Sequence, residues 1–270
     1  MDILTYFEYK NEHLYYSHAQ KVKHKEADYR AHSHDAFELI FYKRGKITYT
    51  VNGQQYRLAQ NDLVFARPFD IHNIQIGGDA IYERHNILFD RSLLPDDIYS
   101  KIPKDLNVIS FDNNQTVINL FKKMDFYCEN LSGEALGLMI RNLIQEVCVN
   151  IILEAEFSVV HKEESENTLV TDAINYINKN LITLTGVEEI CDALAISKSH
   201  LHHLFTKHLK ISPKKYVTTK RLALAQKEML SGGKPTDVCM RCGFADYSSF
   251  YRQFKQRFGI SPLAARKNKH

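Results

Sequence analysis

Three residues near the start of the chain, His32, His34 and Glu38, have side chains and spacing suited to binding. Imidazole and carboxylate groups ligate divalent cations, and the same groups hydrogen-bond polar metabolites. Along an extended strand alternate residues share a face, so 32, 34, 38, 40 and 42 point the same way and Tyr42 joins the set. Pro68-x3-His72 follows, and His72 can enter the same space from a neighbouring strand. Three readings stay open. A metal site needs all four ligands, and a metal enzyme an open coordination position besides. A sensor pocket would use the same groups to hydrogen-bond a sugar or related metabolite. The third reading is a polar patch with no ligand.

A second set of polar side chains occurs twice near the other end. Lys198, Ser199, His202, His203 and Lys207 form the first occurrence; Tyr247, Ser248, Tyr251, Arg252 and Lys255 form the second. Hydroxyls, imidazoles and a guanidinium can address base edges, and lysines suit phosphates. Cys239 and Cys242 make a C-x-x-C, a spacing used by redox and zinc sites. His200, His202, His203 and His208 are close in sequence, but no matching Cys or His pair has finger spacing.

The elements that carry these residues follow from self-similarity. ICDALAIS (190–197) matches VCMRCGFA (238–245) at an offset of 48. KSHLHHLFTKHLKISP (198–213) matches YSSFYRQFKQRFGISP (247–262) at an offset of 49, one residue being inserted near Asp246. Each copy reads as a helix-turn-helix. The first helix starts near Val187 or Pro235, and proline suits a first helical turn. Cys191 or Cys239 is the small residue where the second helix crosses, which explains the cysteine by packing rather than redox chemistry. The turn falls at Ala195-Ile196 or Gly243-Phe244, and Ser197 or Asp246 can cap the second helix. Leu201, Leu204 and Phe205, or Phe250, Phe254 and Phe258, then face inward at helical spacing. The polar sets stay outward, where a major groove would lie.

Upstream, residues 1–112 alternate with period two, with turns at Arg44-Gly45, Asn52-Gly53 and Gln60-Asn61. Short antiparallel strands of this kind predict a small sandwich or barrel. Residues 113–157 change to helical period: Val117, Leu120, Phe121, Met124 and Cys128 on one stripe, Leu136, Ile140, Leu143, Ile144, Val147 and Ile151 on another. Leu131-Ser132-Gly133 separates them, which predicts an antiparallel hairpin that packs on the strands, pairs two chains, or both. Residues 158–167 are polar and charged and read as a linker before a module at 168–270.

The net charge of +3 over 270 residues conceals an asymmetry. From Thr168 onward there are 17 Lys and Arg against 7 Asp and Glu, a net of +10, while the preceding residues carry −7. A basic module fits a polyanionic partner. Nothing approaches the roughly 18 consecutive apolar residues of a membrane span, and MDILTYFEYK lacks the layout of a secretory signal. The expectation is a cytoplasmic protein without a membrane partner.

The duplicated motif, the joining stretch with RLALAQKEML and the signature GFADYSSFYRQFKQRFGISPLAAR resemble the AraC/XylS family of bacterial transcription regulators over about 100 residues. Two departures stand out: Lys210 replaces the usual glycine, and Cys191 and Cys239 the usual alanine. The resemblance implies an all-helical module whose two reading helices enter successive major grooves, held apart by the joining helix. His32-x-His34-x3-Glu38 and Pro68-x3-His72 resemble the two cupin motifs, with Asp70 in place of a glycine. That likeness implies a cupin-like barrel, and metal-binding cupins hold a divalent ion with three histidines and a glutamate. Together these give an α+β multidomain chain: a cupin-like β-barrel, a helical hairpin, then an all-α module with two helix-turn-helix motifs. The expected function is a ligand-responsive regulator, an activator by the family's commoner habit, and not an enzyme. Its expected partners are double-stranded DNA, a small effector such as a sugar, a second copy of the chain, and RNA polymerase. The competing expectation is a DNA-binding regulator whose N-terminal part only dimerises, or binds a metal or a protein.

Overall fold

The alternating stretches form strands β1 (Ile3–Lys10), β2 (Leu14–Lys21), β3 (Phe37–Arg44), β4 (Ile47–Val51), β5 (Gln54–Leu58), β6 (Asp62–Ala66), β7 (His72–Ile76), β8 (Tyr82–Phe89) and β9 (Val108–Ser110). The computed structural model describes residues 3–21, 31–77, 81–155, 168–209 and 211–267; Lys210 and the linker 158–167 fall outside these. Two compact units, Met1–Ser165 and Glu166–His270, divide the chain.

The strands do not close into a cupin-like barrel. They form two open sheets, one of six strands in the order β1-β2-β8-β3-β6-β9 and one of three in the order β5-β4-β7. Alternation identifies a strand with two unlike faces but carries no information about which edges meet, and closure is a property of the edges. The hairpin signal is realised locally: Asn52 (φ 45°) and Gly53 (φ 86°) supply the two positive-φ residues that turn β4 into β5.

Both faces of the larger sheet are covered. Ile40, Tyr42, Val64 and Tyr82 pack against Ile47, Tyr49, Val51, Tyr56 and Leu58 of the smaller sheet. On the opposite face Leu39, Phe41, Leu63, Phe65, Ile87 and Phe89 meet two helices. Hence β3 is buried on both sides from Phe37 to Tyr42. A short helix, α1 (Asp96–Tyr99), precedes the two long ones, α2 (Gln115–Asn130) and α3 (Gly133–Ala155). Asn114 caps α2 by accepting from the Val117 amide (3.1 Å). Val117, Leu120, Phe121 and Met124 of α2 are buried with Leu136, Ile140, Leu143, Ile144, Val147 and Ile151 of α3, while Cys128 is half-buried. By length and composition α3 would pass for a membrane span, yet this stripe completes the core of the unit.

The C-terminal unit is helical: α4 (Thr168–Asn180), α5 (Val187–Leu194), α6 (Lys198–Leu209), α7 (Pro213–Leu230), α8 (Pro235–Arg241), α9 (Tyr247–Phe258) and α10 (Pro262–Lys267). The two motifs are α5-turn-α6 and α8-turn-α9. In each, the residue after the turn sends its amide back into the first helix: Ile196 to the Cys191 carbonyl (3.0 Å), Phe244 to the Cys239 carbonyl (3.1 Å). That backbone path needs a left-handed residue, and the copies supply it with Ala195 (φ 52°) and Gly243 (φ 81°). Ser197 caps α6 through the His200 amide (3.1 Å), and Asp246 caps α9 through the Ser249 amide (2.7 Å). Phe250, Phe254, Val238 and Cys239 close the second motif; Leu201, Leu204, Phe205, Ile190 and Cys191 are buried in the first.

Candidate effector site and nucleic-acid interface

His32 and His72 are brought side by side by backbone pairing. They form an antiparallel bridge, each amide donating to the other's carbonyl at 3.0 Å, and their rings lie 4.5 Å apart. The next pair in this ladder joins the Phe69 amide to the His34 carbonyl (2.7 Å). The stretch 32–34 therefore belongs beside β7, while β3 begins at Phe37 in the other sheet. So 32, 34 and 38 do not share one continuous strand. The chain crosses between the sheets at Asp35-Ala36, and the crossing aims His34 at Glu38 from across the gap.

The result is a cluster of imidazoles around one carboxylate. His72 Nε2 lies 3.0 Å and His34 Nε2 3.5 Å from Glu38 Oε2, and the nitrogens offered by the three histidines lie within 4.8 Å of one another. His34 Nδ1 sits 3.0 Å from the Ala36 carbonyl and His72 Nδ1 2.9 Å from the Asp70 carbonyl. A carbonyl oxygen only accepts, so each Nδ1 carries the proton. Despite the short distances, Nε2 of both rings and Glu38 Oε2 are buried and, among the described residues, not aligned for any hydrogen bond; Tyr49 Oη nearby is in the same state. Burial would raise the Glu38 pKa, but the two imidazoles outweigh it and hold the carboxylate well below its ordinary range. Burial would likewise lower His72, and Glu38 reverses this, so its pKa is raised.

Tyr42 shares the Glu38 face but not the cluster. It stands four residues, about 13 Å, further along β3 and stacks near Tyr82 (6.4 Å between ring centroids). His32 is exposed at the rim of the cluster, His34 half-buried and His72 buried.

This donor set fits a divalent cation. A ligating histidine typically anchors its other ring nitrogen on a carbonyl, as His34 and His72 do, and a carboxylate completes the set. It fits equally a ligand rich in hydroxyl donors.

A second histidine cluster, missed from sequence, sits on the opposite face of the large sheet. His85 is paired across strands with Phe41, and Glu38 with Leu88, so His85 and Glu38 point to different faces. His18 Nδ1 meets Asp125 Oδ2 on α2 (2.9 Å) and His18 Nε2 meets Glu83 (3.3 Å). Tyr16 donates to Asp125 Oδ1 and its oxygen meets His85 Nδ1 (3.0 Å). Its members come from β2, β8 and α2, so no sequence spacing announces it.

In the C-terminal unit Lys198, Ser199, His202, His203 and Lys207 on α6 are exposed, as are Tyr247, Ser248, Arg252 and Lys255 on α9; Tyr251 is half-buried. Lys198 is ion-paired with Glu188 on the preceding helix (2.6 Å). Thr206 bonds back to the carbonyls of His202 and His203, which keeps its own side chain on the helix. Cys239 and Cys242 are buried, and burial pushes the Cys242 thiol up to about 12, the wrong direction for a reactive thiolate.

The comparisons with known proteins fall on these two regions. The model of an AraC-like ligand binding domain matches residues 15–117, and that of a helix-turn-helix domain matches residues 190–268. Both matches point to the AraC-type transcription regulators as the proteins this chain is similar to. Among curated relatives it is 23% identical over 256 residues to the HTH-type transcriptional activator RhaS of Enterobacter sp. (strain 638), covering 90% of each chain. It is 22% identical over 246 residues to RhaS of Escherichia fergusonii, covering 88% of this chain and 87% of that one. A solved structure, ToxT from Vibrio cholerae O395, is similar at 13% identity over 97% of this chain and 96% of that one, with a TM-score of 0.37. The relatives are regulators rather than enzymes.

Proposed function

We propose that this regulator is an activator that senses a small polar metabolite, such as a sugar, at His32, His34, Glu38 and His72. One observation carries the reading: a buried polar cluster, two imidazole nitrogens, a carboxylate oxygen and the Tyr49 hydroxyl, without an aligned hydrogen-bond partner among the described residues. Hydroxyl groups of an effector, which both donate and accept, supply those partners, and hydrogen bonds to a charged group are worth about 1.5–3 kcal/mol each. The output is DNA reading by the exposed faces of α6 and α9. Ser199, His202, His203, Ser248, Tyr251 and Arg252 address base edges; Lys198, Lys207, Tyr247 and Lys255 hold the backbone. Lys198 exchanges Glu188 for a phosphate on docking.

Leu138, Val149 and Leu153 make an exposed apolar stripe on α3 (58%, 39% and 53% exposed). This stripe pairs two chains, so that a dimer occupies two half-sites in the cytoplasm and presents itself to RNA polymerase. Effector binding switches the output to the extent that it favours one arrangement of the chain over another.

Thermal melting against a library of sugars and related metabolites tests the sensor. A hit raises the melting temperature and loses its effect in Glu38→Gln; a flat response across the library sinks the effector reading and leaves dimerisation as the role of the N-terminal unit. The DNA face is tested by Arg252→Ala. It weakens binding to a selected site by about 1–3 kcal/mol and relaxes the preference at one base pair. Equal loss on every sequence makes Arg252 a phosphate contact. A second reading, a divalent cation at the same residues, is favoured by the Nδ1 anchoring of His34 and His72. About one equivalent of metal per purified chain, absent from His72→Ala, supports it.

A further inference from the structure

The joining helix α7 contributes to both motifs. Tyr216 packs its ring on Phe205 of the first (5.6 Å between centroids), and Leu222, Ala225 and Met229 enter the core of the second. Arg221 lies between these two sets, half-buried. Its guanidinium donates from Nε to the Leu181 carbonyl (2.9 Å) and from Nη2 to the Leu184 carbonyl. Both carbonyls belong to the corner between α4 and α5, three to six residues before the first motif begins. That corner is tied down further. Thr183 and Leu184 send their amides to the Asn180 carbonyl, and Glu189 of α5 accepts from the Thr185 amide (3.0 Å).

The second motif reaches the same spot through its turn. A Cβ added at Gly243 would stand 2.5 Å from the Ile182 carbonyl oxygen and 2.9 Å from Cζ and Nε of Arg221. The α8–α9 turn therefore rests directly on the corner and on the guanidinium. Arg221 spans the α4–α5 corner, α7 and the turn of the second motif. A planar fork that holds two carbonyls in fixed directions resists rotation far better than a single ammonium would.

We propose that Arg221 is a positioning residue that fixes the angle between the two helix-turn-helix motifs, and through it the spacing of base pairs this regulator accepts between its two reading helices. The proposal rests on the DNA-reading function above. One base pair inserted between two contacted segments moves them by about 3.4 Å and 34–36° around the helix axis, which a rigid pair of motifs does not follow. A loosened joint follows it in part.

The test starts by selecting duplexes from random DNA with the full-length wild-type chain. The selected site is then compared with duplexes carrying one base pair added or removed between the two contacted segments. The wild type prefers the selected spacing by about tenfold or more, the scale of a mismatched base pair. Arg221→Ala binds the selected site more weakly and discriminates among spacings by less than about threefold, while its base preference within each segment is unchanged. Arg221→Lys falls between, since one donor replaces a fork. A folded Arg221→Ala chain that keeps wild-type spacing discrimination overturns the proposal. So does an equal loss at every spacing, which makes the residue a fold stabiliser only. Where Arg221→Ala does not fold, Arg221→Lys decides on the same criterion. A wild type that selects no sequence at all overturns the DNA-reading function, and the proposal with it.

Discussion

Two histidine clusters stand back to back on the large sheet, and they differ in how completely their hydrogen bonds are made. In the one facing α2, His18 gives both ring nitrogens to carboxylates, and Tyr16 donates a hydrogen bond to Asp125 while its oxygen meets His85. The cluster is closed on itself. In the one facing the small sheet, two ring nitrogens and a carboxylate oxygen crowd together with no hydrogen bond aligned among the described residues. Both contain three residues able to ligate a metal, so composition does not separate them. Satisfaction does. A closed network holds α2 on the sheet; a network short of aligned partners is where a ligand gains by binding.

The largest effect that would break this comparison is a stability difference. Asp125→Ala strips His18 of a carboxylate and leaves the buried Tyr16 hydroxyl without its acceptor, so the N-terminal unit loses about 3–4 kcal/mol. Glu38→Gln on the other side costs less, about 2 kcal/mol, because the amide keeps the shape of a carboxylate whose close contacts are poorly directed but loses the charge the imidazoles hold. Denaturant unfolding followed by tyrosine fluorescence reads both. Equal losses would make the two clusters alike.

Next in size is the response to zinc. Under the cation reading, zinc at about 100 times its dissociation constant stabilises the wild type by about 2.7 kcal/mol. His72→Ala abolishes this and Asp125→Asn does not. A gain that follows Asp125 instead would place the open site on the other face.

The smallest effect is with pH. Burial, helped by the charges of His18 and Lys43, holds the His85 pKa well below its ordinary value, so the folded protein keeps it neutral. The unfolded chain takes up that proton once pH falls below about 6.5, so stability drops on the acid side, by about 1 kcal/mol at pH 5.5. His18 runs the other way. Burial would lower its pKa, but Asp125 and Glu83 raise it, so its contribution is full below about 6.5 and fades as pH rises through the folded value. Glu38, held low, contributes above the ordinary carboxylate range and loses that contribution only in stronger acid. Melting from pH 5 to 8 should therefore give a maximum near neutrality, and His85→Gln should flatten the acid limb alone.

Much of the C-terminal unit was legible because a helix-turn-helix writes its requirements locally. The capping residues Ser197 and Asp246 hold amides three residues on, and the small Cys191 and Cys239 and the positive-φ turn lie within the same motif as the partners they serve. The repeat offsets superposed two copies and removed the ambiguity of either. The N-terminal unit was legible in strands but not in their assembly. Alternation at 32, 34 and 38 suggested one face of one strand, whereas the chain leaves one sheet at His34 and joins the other at Phe37. Tyr42 was drawn in by the same period and lies too far along β3. His18, His85 and Asp125 are separated by 40 or more residues, and only the register between β2 and β8 brings the first two together. Lys198 was read as free for phosphate, while its pairing with Glu188 depends on where the preceding helix ends.

The left-handed turn is met by glycine in the second motif and by alanine in the first, Ala195 at φ 52°. A side chain held there carries roughly 1–2 kcal/mol of backbone strain that a glycine does not. Strain localised at a hinge lowers the cost of opening what lies beyond it. In hydrogen exchange, the amides of α6 should thus surrender their protection before those of α9, and the chain would meet DNA with one stiff reading head and one that yields.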